Sequence, residues 1–100
     1  MKAIAVPFRV MKLAHGALDL LEKMAEKGNP NSASDVAVGA LCLQTAVSGA
    51  FLNIRINAVE LSDPSPAIET LQEADLMEKE TIRRSTEIQK MVLQTINSKS

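Results

Sequence analysis

The stretch GAFLNIRIN, residues 49–57, sets two carboxamides, Asn53 and Asn57, one helical turn apart in an otherwise apolar run, with Arg55 between them. A carboxamide both donates and accepts hydrogen bonds, so such a pair suits either an amide-like ligand edge or helix–helix contacts. Burying one without a partner costs about 1–3 kcal/mol, so each needs one. Asp35 lies on the same run, and its carboxylate can move a proton or stabilise a helix N-terminus by about 0.3–1 kcal/mol. On residue type alone Asp35 reads as the helix-terminal carboxylate, and the two amides as interhelical contacts. His15 is isolated and reads as structural or exposed. Cys42, the sole cysteine, reads as a small buried hydrophobe. No His/Cys cluster supports a metal, and no nucleophile triad or phosphate-cradling glycine loop stands in the sequence.

Three helices are predicted to position these groups. In the first, Pro7 suits an opening turn, and Val10, Leu13, Ala17, Leu20, Leu21 and Met24 recur at helical spacing as its inner face. Gly28 fits a left-handed stop after Lys27, with Pro30 following. The second helix is expected from Ala33 to Val59, with Ser32 as its cap and Asp35 completing a capping-box arrangement. It is apolar nearly all round, the mark of a helix surrounded by protein. In LSDPSP, residues 61–66, Asp63 or Ser65 can cap a third helix that carries Ile68, Leu71, Ala74, Met77, Ile82, Ile88, Val92 and Ile96. Asp75–Lys79 and Glu80–Arg84 are its expected (i, i+4) pairs.

Spacings of three and four from Asp35 reach Gly39, Cys42, Ala46, Gly49, Asn53 and Ile56, a seam of small residues with polar groups at both ends. Along one helix Asp35 and Asn53 are about 27 Å apart, too far to share a small ligand. An antiparallel pair of copies crossing near Ala46 would bring Asp35 of one to Asn53 and Asn57 of the other, making two equivalent clefts. The opposite face, Leu43, Val47, Phe51, Ile54 and Ala58, reads as core. Arg55 is expected in solvent or against an acid of the third helix.

The totals fit this picture. Residues 1–100 make one domain. The composition is 46% hydrophobic and 23% charged with net charge −1, that of a folded chain without a field for a phosphate backbone. Phe8 and Phe51 are the only aromatic residues, so nucleic acid is not an expected partner. Gln44, Thr45, Ser48 and Asn53 interrupt the longest apolar run, so no membrane span is expected, and the protein reads as cytoplasmic. A compact chain of this size has a radius of gyration of about 13 Å and a diameter near ~34 Å. The second and third helices, about 40 and 46 Å long, exceed that diameter. The fold class is therefore all-α: three long helices forming part of an elongated bundle that association completes.

VPFRV opening a helix, EKGNPNSASDVAVGAL and AVSGAFLNIRIN, in this order, resemble the cyclodeaminase/cyclohydrolase family. It comprises the cyclodeaminase domain of formiminotransferase-cyclodeaminases and the stand-alone methenyltetrahydrofolate cyclohydrolases. The matching positions are Val6, Pro7, Gly28, Asn29, Ser34, Asp35, Gly49, Ala50, Asn53, Ile56 and Asn57. The resemblance implies a dimeric helical bundle acting on a reduced folate, as hydrolase or lyase, without metal or redox cofactor. It implies Asp35 as the catalytic proton-transfer group and Asn53, Asn57, Ser34 and Gly49 as substrate-binding residues. Family members are about twice this length. The matching motifs belong to their second half, so this chain is expected to be catalytically incomplete without the first. The rival expectation is a non-catalytic helical interaction module on the same fold.

Overall fold

The computed structural model describes residues 2–98, with only the backbone of Lys2. Three α-helices, α1 (Lys2–Lys27), α2 (Ala33–Val59) and α3 (Ser65–Asn97), run up, down and up, each packed on the other two. The unit is a rod of 57 × 17 × 16 Å with a radius of gyration of 16.0 Å, longer than a compact chain of its size, as helix length requires.

The breaks arise locally. Gly28 adopts φ 64°, a left-handed conformation that costs a side chain about 1–2 kcal/mol, and its N–H donates to the Ala25 carbonyl at 3.1 Å. The Asn29 side chain then accepts the Asn31 N–H at 2.9 Å, an Asx turn that reverses the chain. Ser32 occupies the cap position of α2, but its hydroxyl makes no cap bond to the helix, and the capping box with Asp35 does not close. Only the Ser32 carbonyl takes part, accepting the Val36 N–H at 3.0 Å. Before α3 the Asp63 carboxylate accepts the Ser65 N–H at 3.0 Å, and that backbone bond, with the Ser65 hydroxyl, holds its pKa below the ordinary value.

Helix α1 starts at Lys2, not at Pro7, so the proline lies inside the helix. Its inner face is also not the expected one. Ile4, Met11, Ala14, Leu18 and Ala25 are buried, whereas Val10, Leu13, Ala17, Leu20 and Met24 face solvent and Leu21 is half-buried. Helical spacing occurs in both sets, and the smaller Ala14 and Ala25 allow α2 and α3 to approach.

The core has two apolar clusters. One joins Ile4, Met11 and Ala14 to Val47, Phe51, Ile54 and Ala58 of α2 and to Ala67 and Ala74 of α3. The other joins Leu18 and Ala25 to Val36 and Ala40 and to Ile88 and Val92. Between them α3 turns Thr81 and Ser85 inward, both fully buried, while Ile68, Ile82 and Ile96 are exposed. Thr81 Oγ1 donates to the Met77 carbonyl at 2.7 Å and so accepts from His15 Nδ1–H at 3.1 Å, which gives His15 a structural role.

Arg84 does not pair with Glu80, which bonds Arg83 instead. Arg84 crosses to α1, donating to Asp19 at 2.6 Å and Glu22 at 2.7 Å. Burial opposes its charge, but the Glu22 and Asp19 carboxylates outweigh that and raise its pKa above the ordinary arginine value. Asp75–Lys79 forms as expected, at 2.9 Å.

Helix α2 buries Val47, Ala50, Phe51, Ile54 and Ala58 but exposes Val38, Leu41, Leu52, Ile56 and Val59. The polar interruptions do not take it below the length and hydropathy of a membrane-crossing helix. Its 27 residues reach a mean hydropathy of 1.5 in their most apolar window, only 22% of which is buried here.

Candidate functional site

The seam on α2 is the floor of a groove beside α1. Val6, Pro7 and Val10 form one wall, and Thr45, Ala46, Gly49, Ala50 and Asn53 form the floor and far side of a space of about 380 Å³. The groove is shallow and apolar, with the Thr45 hydroxyl and the Asn53 amide as its side-chain polar groups. Gly49 needs no side-chain absence on account of this chain, since an added Cβ would meet nothing within 4 Å. At Gly39, further along, Leu21 of α1 presses in, and a Cβ would meet its methyls at 3.3 Å.

Asn53 and Asn57 are brought together by their one-turn spacing on α2, and Pro7 explains the further partner of Asn57. Inside a helix, proline has no N–H to give the carbonyl four residues back, which for Pro7 is that of Ala3. The Asn57 side chain supplies the missing donor: its Nδ2 reaches the Ala3 carbonyl at 2.6 Å. The same nitrogen donates to Asn53 Oδ1 at 3.0 Å. Asn57 therefore ties α2 to the first turns of α1, and the bond orients Asn53 with its own Nδ2 on the unbonded side of the amide. The sequence carried a signal for this pairing in the helix-compatible KAIAV ahead of Pro7, which implies a carbonyl left without its donor.

Asp35 and Ser34 stand elsewhere, both exposed in the first turn of α2 and about 27 Å from Asn53 along the axis. Among the described residues neither side chain of this pair makes a hydrogen bond or an ion pair. The chain thus unites Asn53, Asn57 and Gly49 and leaves Ser34 and Asp35 apart from them. Cys42 is exposed on the same face, not buried, because the seam faces away from both clusters. Arg55 meets no acid of α3 among the described residues; its guanidinium lies over the Phe51 ring, 5.7 Å from the centroid. No group of three or more His, Cys, Asp and Glu side chains among the described residues could hold a metal ion.

Comparison with known proteins gives these residues a context. A sequence model described as formiminotransferase-cyclodeaminase matches residues 1–76. The chain is 32% identical over 98 residues, 98% of its length, to a formimidoyltransferase-cyclodeaminase of Dictyostelium discoideum, of which it covers 18%. It is 37% identical over 73 residues, 73% of its length, to a methenyltetrahydrofolate cyclohydrolase of Methylorubrum extorquens, of which it covers 35%. Against the formimidoyltransferase-cyclodeaminase of Rattus norvegicus it is 34% identical over 62 residues, 62% of its length and 12% of the relative. The chain therefore spans about a third or less of these relatives' own length.

Proposed function

This chain belongs to the formiminotransferase-cyclodeaminase family, and we propose that it supplies part of a site for one-carbon chemistry on a reduced folate in the cytoplasm. The reaction is either opening of a methenyl bridge by water or closure of a formimino group with loss of ammonia. Both move protons between nitrogen and oxygen or nitrogen centres, and a carboxylate suits that work. Asp35 is the proton-transfer group in this reading. Asn53 and Gly49 meet the pterin's amide-like edge, Asn57 supports Asn53, and Ser34 lies beside Asp35. No metal or redox cofactor takes part.

The observation that carries the reading is the layout of these groups on α2: an exposed carboxylate at one end and an oriented amide pair at the other, on one face. One chain cannot close a site from them. Two antiparallel copies crossing near Ala46 make two sites, each with Asp35 from one copy and Asn53 from the other, so the working form is a homodimer. Chain beyond these residues, of the kind its relatives carry, completes the walls.

The test combines this chain with the remaining half of a family domain and follows loss of methenyltetrahydrofolate absorbance. Asparagine is nearly isosteric with aspartate and competent near a helix N-terminus, so Asp35→Asn removes mainly charge. Turnover should fall by about 10²–10⁴-fold with the melting temperature nearly unchanged. Undiminished turnover would remove Asp35 from the chemistry. A second reading, a non-catalytic helical interaction module, is favoured by Asn57, whose amide is already engaged within the chain. Reconstituted turnover by the wild-type chain would exclude it.

A further inference from the structure

Asn53 carries the directional hydrogen bonding at its end of the groove beside α1. The other side-chain polar group there, the Thr45 hydroxyl, lies about 12 Å away along α2, with Ala46, Gly49 and Ala50 between them. Whether Asn53 offers its Nδ2 or its Oδ1 therefore decides which atom a ligand must present at that end. A carboxamide without fixed partners can turn about its last bond and offer either.

Asn53 is not free to turn, and the cause lies in Pro7. The Ala3 carbonyl can only accept, and Pro7 has no N–H to give it. Asn57 therefore meets that carbonyl with its Nδ2, at 2.6 Å, because its Oδ1 would set acceptor against acceptor. The nitrogen has two hydrogens, and the second goes to Asn53 at 3.0 Å. Asn53 receives it on Oδ1, because its own Nδ2 would set donor against donor. Each orientation is fixed by the one before it, from a missing backbone N–H on α1 to the groove end of α2.

We infer that Pro7 and Asn57 lock Asn53 as a hydrogen-bond donor, so that the ligand atom seated against it is a neutral acceptor of the carbonyl type. No charged side chain among the described residues lines the groove, so nothing there compensates a carboxylate. The identity of the ligand rests on the folate reading. In that reading the acceptor is the oxygen on C4 of the pterin ring, and not the adjoining N–H of the same edge. Asn57 and Pro7 are positioning residues in this arrangement: they act through Asn53 and set which ligands it accepts.

Two measurements test the inference. In the nitrogen-15-labelled chain, the Nδ2 protons of Asn57 should exchange with water severalfold more slowly than those of Asn53. Equal rates, or the reverse order, would overturn the lock. The second measurement compares 2-amino-4-oxopteridine with 2,4-diaminopteridine, at a pH where both rings are neutral, on the chain combined with the remaining half of a family domain. The first sets an acceptor against Asn53 and the second a donor, so the oxo compound should bind at least about tenfold more tightly. Pro7→Ala returns a backbone N–H to the Ala3 carbonyl, and Asn57→Asp in that background gives Asn53 a neighbour that only accepts. Asn53 then donates to it and turns Oδ1 to the groove, so the order of the two compounds should reverse. Pro7→Ala with Asn57→Leu leaves Asn53 free to turn and should abolish the preference. Equal affinities in the wild type, or an order unchanged in both double variants, would overturn the inference and leave the folate reading standing. Failure of the wild type to bind either compound would overturn the folate reading, and the ligand assignment with it.

Discussion

Asn57 lies 54 residues from the Ala3 carbonyl that it binds, and the bond exists because Pro7 cannot make it. The side chain that the family resemblance marks as a ligand contact thus also repairs a helix. Its energetic role is separable by a double-mutant cycle. Asn57→Ala should lower stability by about 0.5–1.5 kcal/mol, the net worth of an ordinary hydrogen bond. In a Pro7→Ala background the helix supplies its own N–H to Ala3, so the same substitution should cost much less. Chemical denaturation of the four proteins measures the coupling. Equal costs in both backgrounds would show that Asn57 does not replace the missing donor. Arg84 makes a related point: its bonds to Asp19 and Glu22 replace an expected intrahelical pair with a bridge between α1 and α3.

The glycines distinguish what each helix needs for itself from what it offers outward. Gly28 is required by its left-handed φ, whereas Gly39 leaves room for Leu21 across the α1–α2 contact, whose methyls an added Cβ would press at 3.3 Å. Gly16 meets neither need. Gly16→Ala should therefore stabilise the isolated chain by about 0.5–1 kcal/mol, whereas Gly28→Ala should destabilise it by about 1–2 kcal/mol. Thermal melts of the two variants check this, and a destabilising Gly16→Ala would mean that the chain itself uses the gap. The same contrast holds along α2, where the face of Val47, Phe51 and Ile54 is core and the face of Ala46, Gly49 and Asn53 is open.

As a molecule the chain is a rod with one well-packed side and wide apolar exposure on α1 and α2. A surface of that kind associates. Sedimentation at micromolar concentration should show a dimer, on the proposal that two α2 seams cross near Ala46. Ala46→Glu, at an exposed position, should yield a monomer of unchanged helix content that binds hydrophobic dyes more strongly. A wild-type monomer with no dye binding would refute the two-copy site.

Length, breaks and helix content were legible in the sequence because they depend on neighbours along the chain. Gly28 stops α1 by its own conformational freedom, Asp63 meets the first turn of α3 two residues away, and Ala33–Val59 is helical end to end. The elongated shape followed from helix length alone. The motifs around Asp35 and Asn53 were likewise legible, as was the family, since both are matters of residue order. Tertiary structure decided which face of α1 turns inward. Periodicity cannot rank two stripes that both recur at helical spacing, and only the fit of Ala14 and Ala25 against α2 and α3 selects one. The same holds for Asn57, Arg84 and Cys42. Their partners or exposure depend on which helix lies opposite, a relation between segments distant in sequence that no local pattern contains.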